Sequence, residues 1–265
     1  MAVLRSHRQI ASTEFENTFT KLYRFSALQT ASVPKRKKKW LCTDVDRIMN
    51  QAYLDVMSVN DFYIRDKKAL QEKKEGFARS GIEHILSLEK HLMMMWNIQS
   101  TETKKMASWV TQINDALKLL HNISGAKGAV PTVSILDWRA INKATFLKNM
   151  SDLHKYTYTK VINANQMYDS TIGSTLITLV DSAFYNVIYA NKTVPTTKRQ
   201  YDHRKTRISK AIMSLEEMNR ALLFYFNLMR YSERIMNEWS NLLVSEIRLL
   251  RALQKSDRER FSNLQ

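Results

Sequence analysis

The chain has 265 residues with only 5 Gly and 3 Pro, and it sets 41 Lys plus Arg against 25 Asp plus Glu, a net charge of +16. So few turn formers exclude a fold of many short strands and predict few, long helices; one cysteine excludes an internal disulfide and a thiolate metal site. The positive excess is that of a protein that meets polyanions.

In chain order, the first helix is predicted over 13–28, where Phe15, Phe19, Leu22 and Phe25 are spaced for one buried stripe. Residues 30–39 break it. A second helix over 43–63 opens with Thr43-Asp44 as its cap and aligns Val45, Ile48, Met49, Ala52, Tyr53, Val56 and Val59 on one face. The third, over 66–97, is polar and basic for two turns and then apolar at Phe77, Ile82, Ile85, Leu88, Leu92 and Met95. Ser100-Thr101-Glu102 precedes a fourth that carries Met106, Trp109, Val110, Ile113, Leu117 and Leu120. Gly125, Gly128 and Pro131 mark the clearest linker. The plan then repeats over 140–163, 174–191, 197–229 and 233–260. The expected fold is all-α, two tandem antiparallel four-helix bundles from an internal duplication: residues 1–124, a linker over 125–139, and residues 140–265.

The duplication is visible residue by residue. One shift places Phe15 on Phe146, Leu22 on Leu153, Phe25 on Tyr156, Ala52 on Ala183, Val56 on Val187 and Asn60 on Asn191. The register then slips by one residue, and Ile82 meets Ile212, Asn97 meets Asn227, Met106 meets Met236, Trp109 meets Trp239 and Ile123 meets Leu253. Amphipathic helices brought into phase match at apolar positions, but phase alone predicts no shared Trp. Charge follows the repeat, with 21 basic and 13 acidic residues up to Val130 and 20 and 12 after it, so each half carries +8. Placement differs: the basic run Lys35 to Lys39 has the uncharged Asn165-Gln166-Met167-Tyr168 as its counterpart, and the last helix outruns its partner beyond Leu253.

Lys35, Arg36, Lys37, Lys38 and Lys39, read as a basic loop with Trp40 beside it to stack on a base, form the first candidate for phosphate contact. A solvated loop is the competing reading. The openings of the two third helices are the next candidates, Lys67, Lys68, Lys73 and Lys74 in one copy and Lys198, Arg199, Arg204, Lys205, Arg207 and Lys210 in the other. Cations there oppose the helix macrodipole, which a polyanion would offset. Arg248, Arg251, Lys255, Arg258 and Arg260 suit the negative end of their own helix, and a structural role explains them equally well. Met93, Met94 and Met95 point in different directions and read as packing residues, as do Trp109 and Trp239. No Glu-x-x-His pair, His-Glu-x-x-His motif, Gly-rich phosphate loop or His/Cys cluster is present, and the six His are scattered. The reading is therefore of a protein that is not an enzyme, with no catalytic residues, no metal and no cofactor. No apolar run approaches the ~18 residues that span a bilayer, and Arg5, His7 and Arg8 flank too short an apolar patch for a signal peptide. A cytoplasmic protein without a membrane partner is expected.

Each half resembles the Avd-like four-helix-bundle proteins, the accessory variability determinants of diversity-generating retroelements, and their relatives among ribosomal-RNA intervening-sequence proteins. The resemblance rests on Ser12-Thr13-Glu14-Phe15 and its counterpart Ala144-Thr145-Phe146, on the basic opening from Lys198 to Arg207, and on Glu238-Trp239 through Lys255-Ser256-Asp257-Arg258-Glu259-Arg260-Phe261. It implies a homo-oligomeric, basic protein that binds RNA and/or DNA and associates with a reverse transcriptase, holding template RNA or an RNA/DNA hybrid. Known members are rings of five single bundles, from which a fused double bundle departs. From the residues alone, the alternative is a helical protein-interaction scaffold that binds an acidic protein partner.

Overall fold

The apolar stripes become helices. The computed structural model describes residues 2–65, 71–99, 103–134, 144–163, 172–192, 194–229 and 231–264, and among these residues there is no strand. The helices are α1 (Ala2–Ala31), α2 (Lys35–Leu41), α3 (Thr43–Arg65), α4 (Gln71–Gln99), α5 (Thr103–Ile123), α6 (Thr145–Ile162), α7 (Ser174–Lys192), α8 (Lys198–Met229) and α9 (Glu233–Arg260), with a terminal 3-10 turn at Ser262–Leu264. The chain divides into two compact units, Met1–Ile135 and Leu136–Gln265.

In the first unit α1 packs on α3 and α5, and α4 lies against α3 and α5; in the second, α6 packs on α7 and α9, and α8 lies against α7 and α9. Each unit is thus a closed set of four long helices. Pairs at 204/257, 209/254 and 216/251 run α8 and α9 antiparallel. The cores are the expected stripes: Phe15, Phe19 and Leu22 of α1, Val45, Ile48, Met49, Ala52, Val56 and Val59 of α3, and Ile85, Leu88 and Leu92 of α4 are buried. Met93, Met94 and Met95 are all buried, so this part of α4 is covered on several sides.

The duplication extends to individual hydrogen bonds. Trp109 Nε1 donates to the Ser26 hydroxyl at 2.9 Å, and Trp239 Nε1 donates to the Thr157 hydroxyl at 3.0 Å. Those hydroxyls donate in turn to the carbonyls of Leu22 and Leu153, each at 2.8 Å. Phe25 meets Trp109 edge-on with ring centroids 6.2 Å apart, and Tyr156 meets Trp239 in the same way at 5.9 Å. A matched alteration should therefore have a matched cost. Trp109→Phe and Trp239→Phe should each lose about 1–2 kcal/mol, from one buried hydrogen bond and part of a packed ring. Urea unfolding followed by circular dichroism reads this, and a loss at one site only would show that the two clusters are not energetic equivalents.

Several expectations are corrected. The run 35–39 is not a loop but most of helix α2, because Pro34 (φ −54°, ψ 138°) sets the chain up for a turn whose Lys37 and Lys38 amides bond to its carbonyl. Buried Val33, Leu41 and Cys42 then anchor this helix, which packs on α3 and α4. Thr43 does not cap α3: its hydroxyl donates backward to the Lys39 carbonyl, while Asp44 pairs with Arg47. Cys42 is sealed between the two helices, and burial, with Asp46 nearby, pushes its thiol up to about 11. The first helix starts far earlier than expected, at Ala2.

The expected linker is in part folded structure. Gly125 (φ 66°) ends α5 in the left-handed region, which costs glycine little. Beyond it, Asn114 clamps the backbone of buried Val133 from both sides, accepting from its amide at 2.8 Å and donating to its carbonyl at 3.0 Å.

Candidate nucleic-acid interface

Helical geometry sorts the basic residues of the first unit. On α2, Lys35, Lys38 and Lys39 are exposed at spacings that share one face, Arg36 belongs to the same helix, and Lys37 and Trp40 are half-buried. Lys39 Nζ lies 4.8 Å from the centre of the Trp40 ring, so the stacking candidate already carries a cation on one side. At the opening of α4, Lys73 is exposed and Lys74 half-buried; Lys67 and Lys68 lie outside the described residues. These two groups do not form one patch. Helix α4 starts six residues after α3 ends, too few to carry the chain back along α3, so the two run antiparallel; with Asp55 of α3 accepting from Ser80 and 2.9 Å from His84 Nδ1 of α4, the start of α3, and α2 with it, lies beside the last turns of α4. From Lys73 to those turns is roughly 30 Å of helix at ~1.5 Å per residue.

The second unit concentrates its charge. Antiparallel pairing sets the opening of α8 beside the ends of both α7 and α9, so Lys192, Lys198, Arg199, Lys205, Arg258 and Arg260 come to one end of the unit. Lys198 and Lys205 share one side of α8, and Arg199 and Lys210 share the other; all four are exposed. Arg207 is half-buried and ties α8 to α7. It donates to Asn186 Oδ1 at 3.1 Å and lies 5.3 Å and 5.4 Å from the ring centres of Tyr185 and Tyr189. Lys192 Nζ lies 4.9 Å from the Tyr189 ring. Cations interleaved with tyrosine rings suit a strand that offers both phosphates and bases.

Arg204 is corrected. It is only 8% exposed, grips both carboxylate oxygens of Asp257 at 2.6 Å and 3.2 Å, and also donates to the Ala190 carbonyl. Its guanidinium is committed to joining α7, α8 and α9 and does not reach phosphate. The signal was present in the sequence: Tyr201, Arg204, Ile208 and Ala211 follow a helical apolar spacing, so Arg204 stands on the buried stripe.

The structure also assembles side chains that sequence reading left scattered. His154 Nε2 lies 2.8 Å from Asp181 Oδ1, and the Tyr158 hydroxyl reaches both Asp181 oxygens at 3.0 Å and 3.1 Å. His154 is fully buried and stacked on Phe184 at 4.4 Å, so this trio is part of the core. The first unit puts Tyr23 and Asn50 at the matching positions, with the Tyr23 hydroxyl donating to Asn50 at 2.7 Å. Glu246 is likewise sealed in the second unit, where Asn149 donates to its Oε2 at 2.9 Å and its Oε1 meets no partner among the described residues. Burial pushes this carboxyl up to about 8, against a smaller downward pull from Asn149. No cluster of three or more His, Cys, Asp or Glu among the described residues could hold a metal ion, and no described helix is long and apolar enough to cross a membrane. Compared with known proteins, the chain matches no family model, no curated protein and no solved structure.

Proposed function

We propose that this chain is a non-enzymatic nucleic-acid-binding accessory protein that acts beside a reverse transcriptase and holds template RNA or an RNA/DNA hybrid, as in a diversity-generating retroelement. The observation that carries the nucleic-acid part is the basic end of the second unit, where three helix ends bring cations together and two of them, Arg207 and Lys192, lie against Tyr185 and Tyr189. The polymerase part rests on the resemblance to Avd-like proteins. The exposed face of α2 is a second contact, with Lys35, Lys38 and Lys39 as its cations.

Reversing Lys198, Arg199 and Lys210 to Glu should weaken RNA binding by more than about tenfold and reduce the slope of log affinity against log salt by roughly 2–3, close to one for each phosphate that is no longer neutralised. Fluorescence anisotropy across a salt series reads both, and an unchanged slope would remove these residues from the interface. Co-purification of a co-expressed reverse transcriptase tests the second half of the reading.

A protein-interaction scaffold is the other reading, favoured by Met213, Leu223 and Phe224, which leave 66%, 57% and 60% of their surface exposed on α8. Purification distinguishes the two. Nuclease-sensitive ultraviolet absorbance supports nucleic acid, whereas clean protein that binds no RNA at low salt supports an acidic protein partner.

A further inference from the structure

The extension of α9 beyond its counterpart has a product in space. Helix α5 ends at Ile123, whose match is Leu253, yet α9 runs on to Arg260. The added turns carry Gln254, Asp257 and Arg258 along the opening of α8, and a cavity of about 160 Å³ lies between the two helices. Its floor is buried: Tyr201 and Ile208 supply apolar wall, and Asp257 has both oxygens engaged by Arg204. Its mouth is cationic, with Lys205 from α8 and Arg258 from α9 both exposed there. Ser209 accepts from the Gln254 amide at 2.9 Å, which leaves its hydroxyl proton for another acceptor.

The first unit carries a carboxylate at the matching corner. Glu75 stands where the second unit has Lys205, and Gly128 stands where it has Arg258. The Glu75 carboxylate accepts from Gln71 and Arg79 and lies 3.0 Å from where a Cβ on Gly125 would be. One copy therefore has a built-in anion at this helix-end corner, and the other has two cations around a cavity.

We propose that this cavity binds a single phosphate group, presented as the terminal phosphate monoester of a nucleic-acid strand; the assignment of the strand rests on the nucleic-acid reading above. At about 160 Å³ the cavity is smaller than the ~300–1,000 Å³ sites that enclose whole small molecules, so it takes the phosphate and leaves the nucleoside outside. A monoester brings close to two negative charges and three acceptor oxygens to Lys205, Arg258 and Ser209. An internal phosphodiester would have to lead two chain segments back out through the same mouth.

The test uses the full chain and three oligonucleotides of one sequence, with a 5′ phosphate, a 3′ phosphate or hydroxyls at both ends. One phosphorylated end should bind about tenfold more tightly than the hydroxyl-ended strand, a step set by a few charge-assisted hydrogen bonds. Lys205→Glu, which installs the residue the first copy carries, should abolish that preference, as should Arg258→Gln. Equal, salt-dependent binding of all three strands overturns the cavity assignment and leaves the nucleic-acid reading standing. If no strand binds, that reading falls and the strand-end assignment with it. Calorimetric titration with inorganic phosphate is the last arm: uptake sensitive to Lys205→Glu without any end preference would make this a free-anion site and overturn the assignment to a strand end.

Discussion

Arg204→Ala should destabilise the second unit by about 3–5 kcal/mol, the cost of leaving a buried charge without its partner. The residue makes a two-pronged ion pair with Asp257 and also holds the Ala190 carbonyl, so its removal strands the carboxylate of α9 and an acceptor of α7 together. A buried pair is costly to break but adds little net stability over apolar replacements of similar size. The double variant Arg204→Met with Asp257→Leu should therefore recover most of the loss. Urea unfolding of the two single variants and the double closes the cycle. Additive losses would mean that the two side chains act independently, contrary to the bonds between them.

Glu246→Gln should stabilise the protein by roughly 3 kcal/mol at pH 7, the free energy of holding a carboxyl at about 8 in the fold against 4.5 in the unfolded chain. The sign follows from proton counting. Between pH 4.5 and 8 the folded chain keeps a proton that the unfolded chain has released, so the stabilising contribution is whole below pH 4.5 and drains away as pH rises to about 8. The glutamine variant does not titrate at this position. Its unfolding free energy should match the parent's near pH 4, pull ahead through neutrality and keep a constant lead above pH 9. Parallel pH profiles for parent and variant would show that the Glu246 carboxyl is not held protonated.

The core was largely legible because helical period and burial are linked directly: Ile48, Val56, Ile85, Leu88, Trp109 and Trp239 stand on their stripes and are buried. The duplication strengthened that reading by predicting which residues should have twins. It also marked the exceptions. Glu246 falls where the first copy has Ala116, in phase with Trp239, Leu243 and Leu250, and a carboxyl on such a stripe is a buried group in waiting. Arg204 and Asp257 were legible in the same way, as opposite charges on two buried stripes, although which charge would meet which could not be read from either helix alone.

The candidate interface was legible only as a list of cations. Lys35 to Lys39 reads as a loop because it separates two apolar stripes, but Pro34 starts a helix there and Leu41 anchors it, so Lys35, Lys38 and Lys39 share an exposed face while Lys37 is half-buried. The α4 opening and α2, both basic, lie at opposite ends of a long helix. Arg258 and Arg260, read as complements to their own helix end, stand beside the opening of α8.

By itself the sequence determined that the protein is helical, doubled and equally basic in both halves, because apolar period, turn-former content and charge are properties of residues in order. Only the tertiary structure decided which cations reach solvent together and which are spent inside. Antiparallel packing joins the start of one helix to the end of another, and a charge takes its role from the neighbour across that seam: Arg204 closes on Asp257, while Lys205, the next residue along, opens with Arg258 onto a cavity.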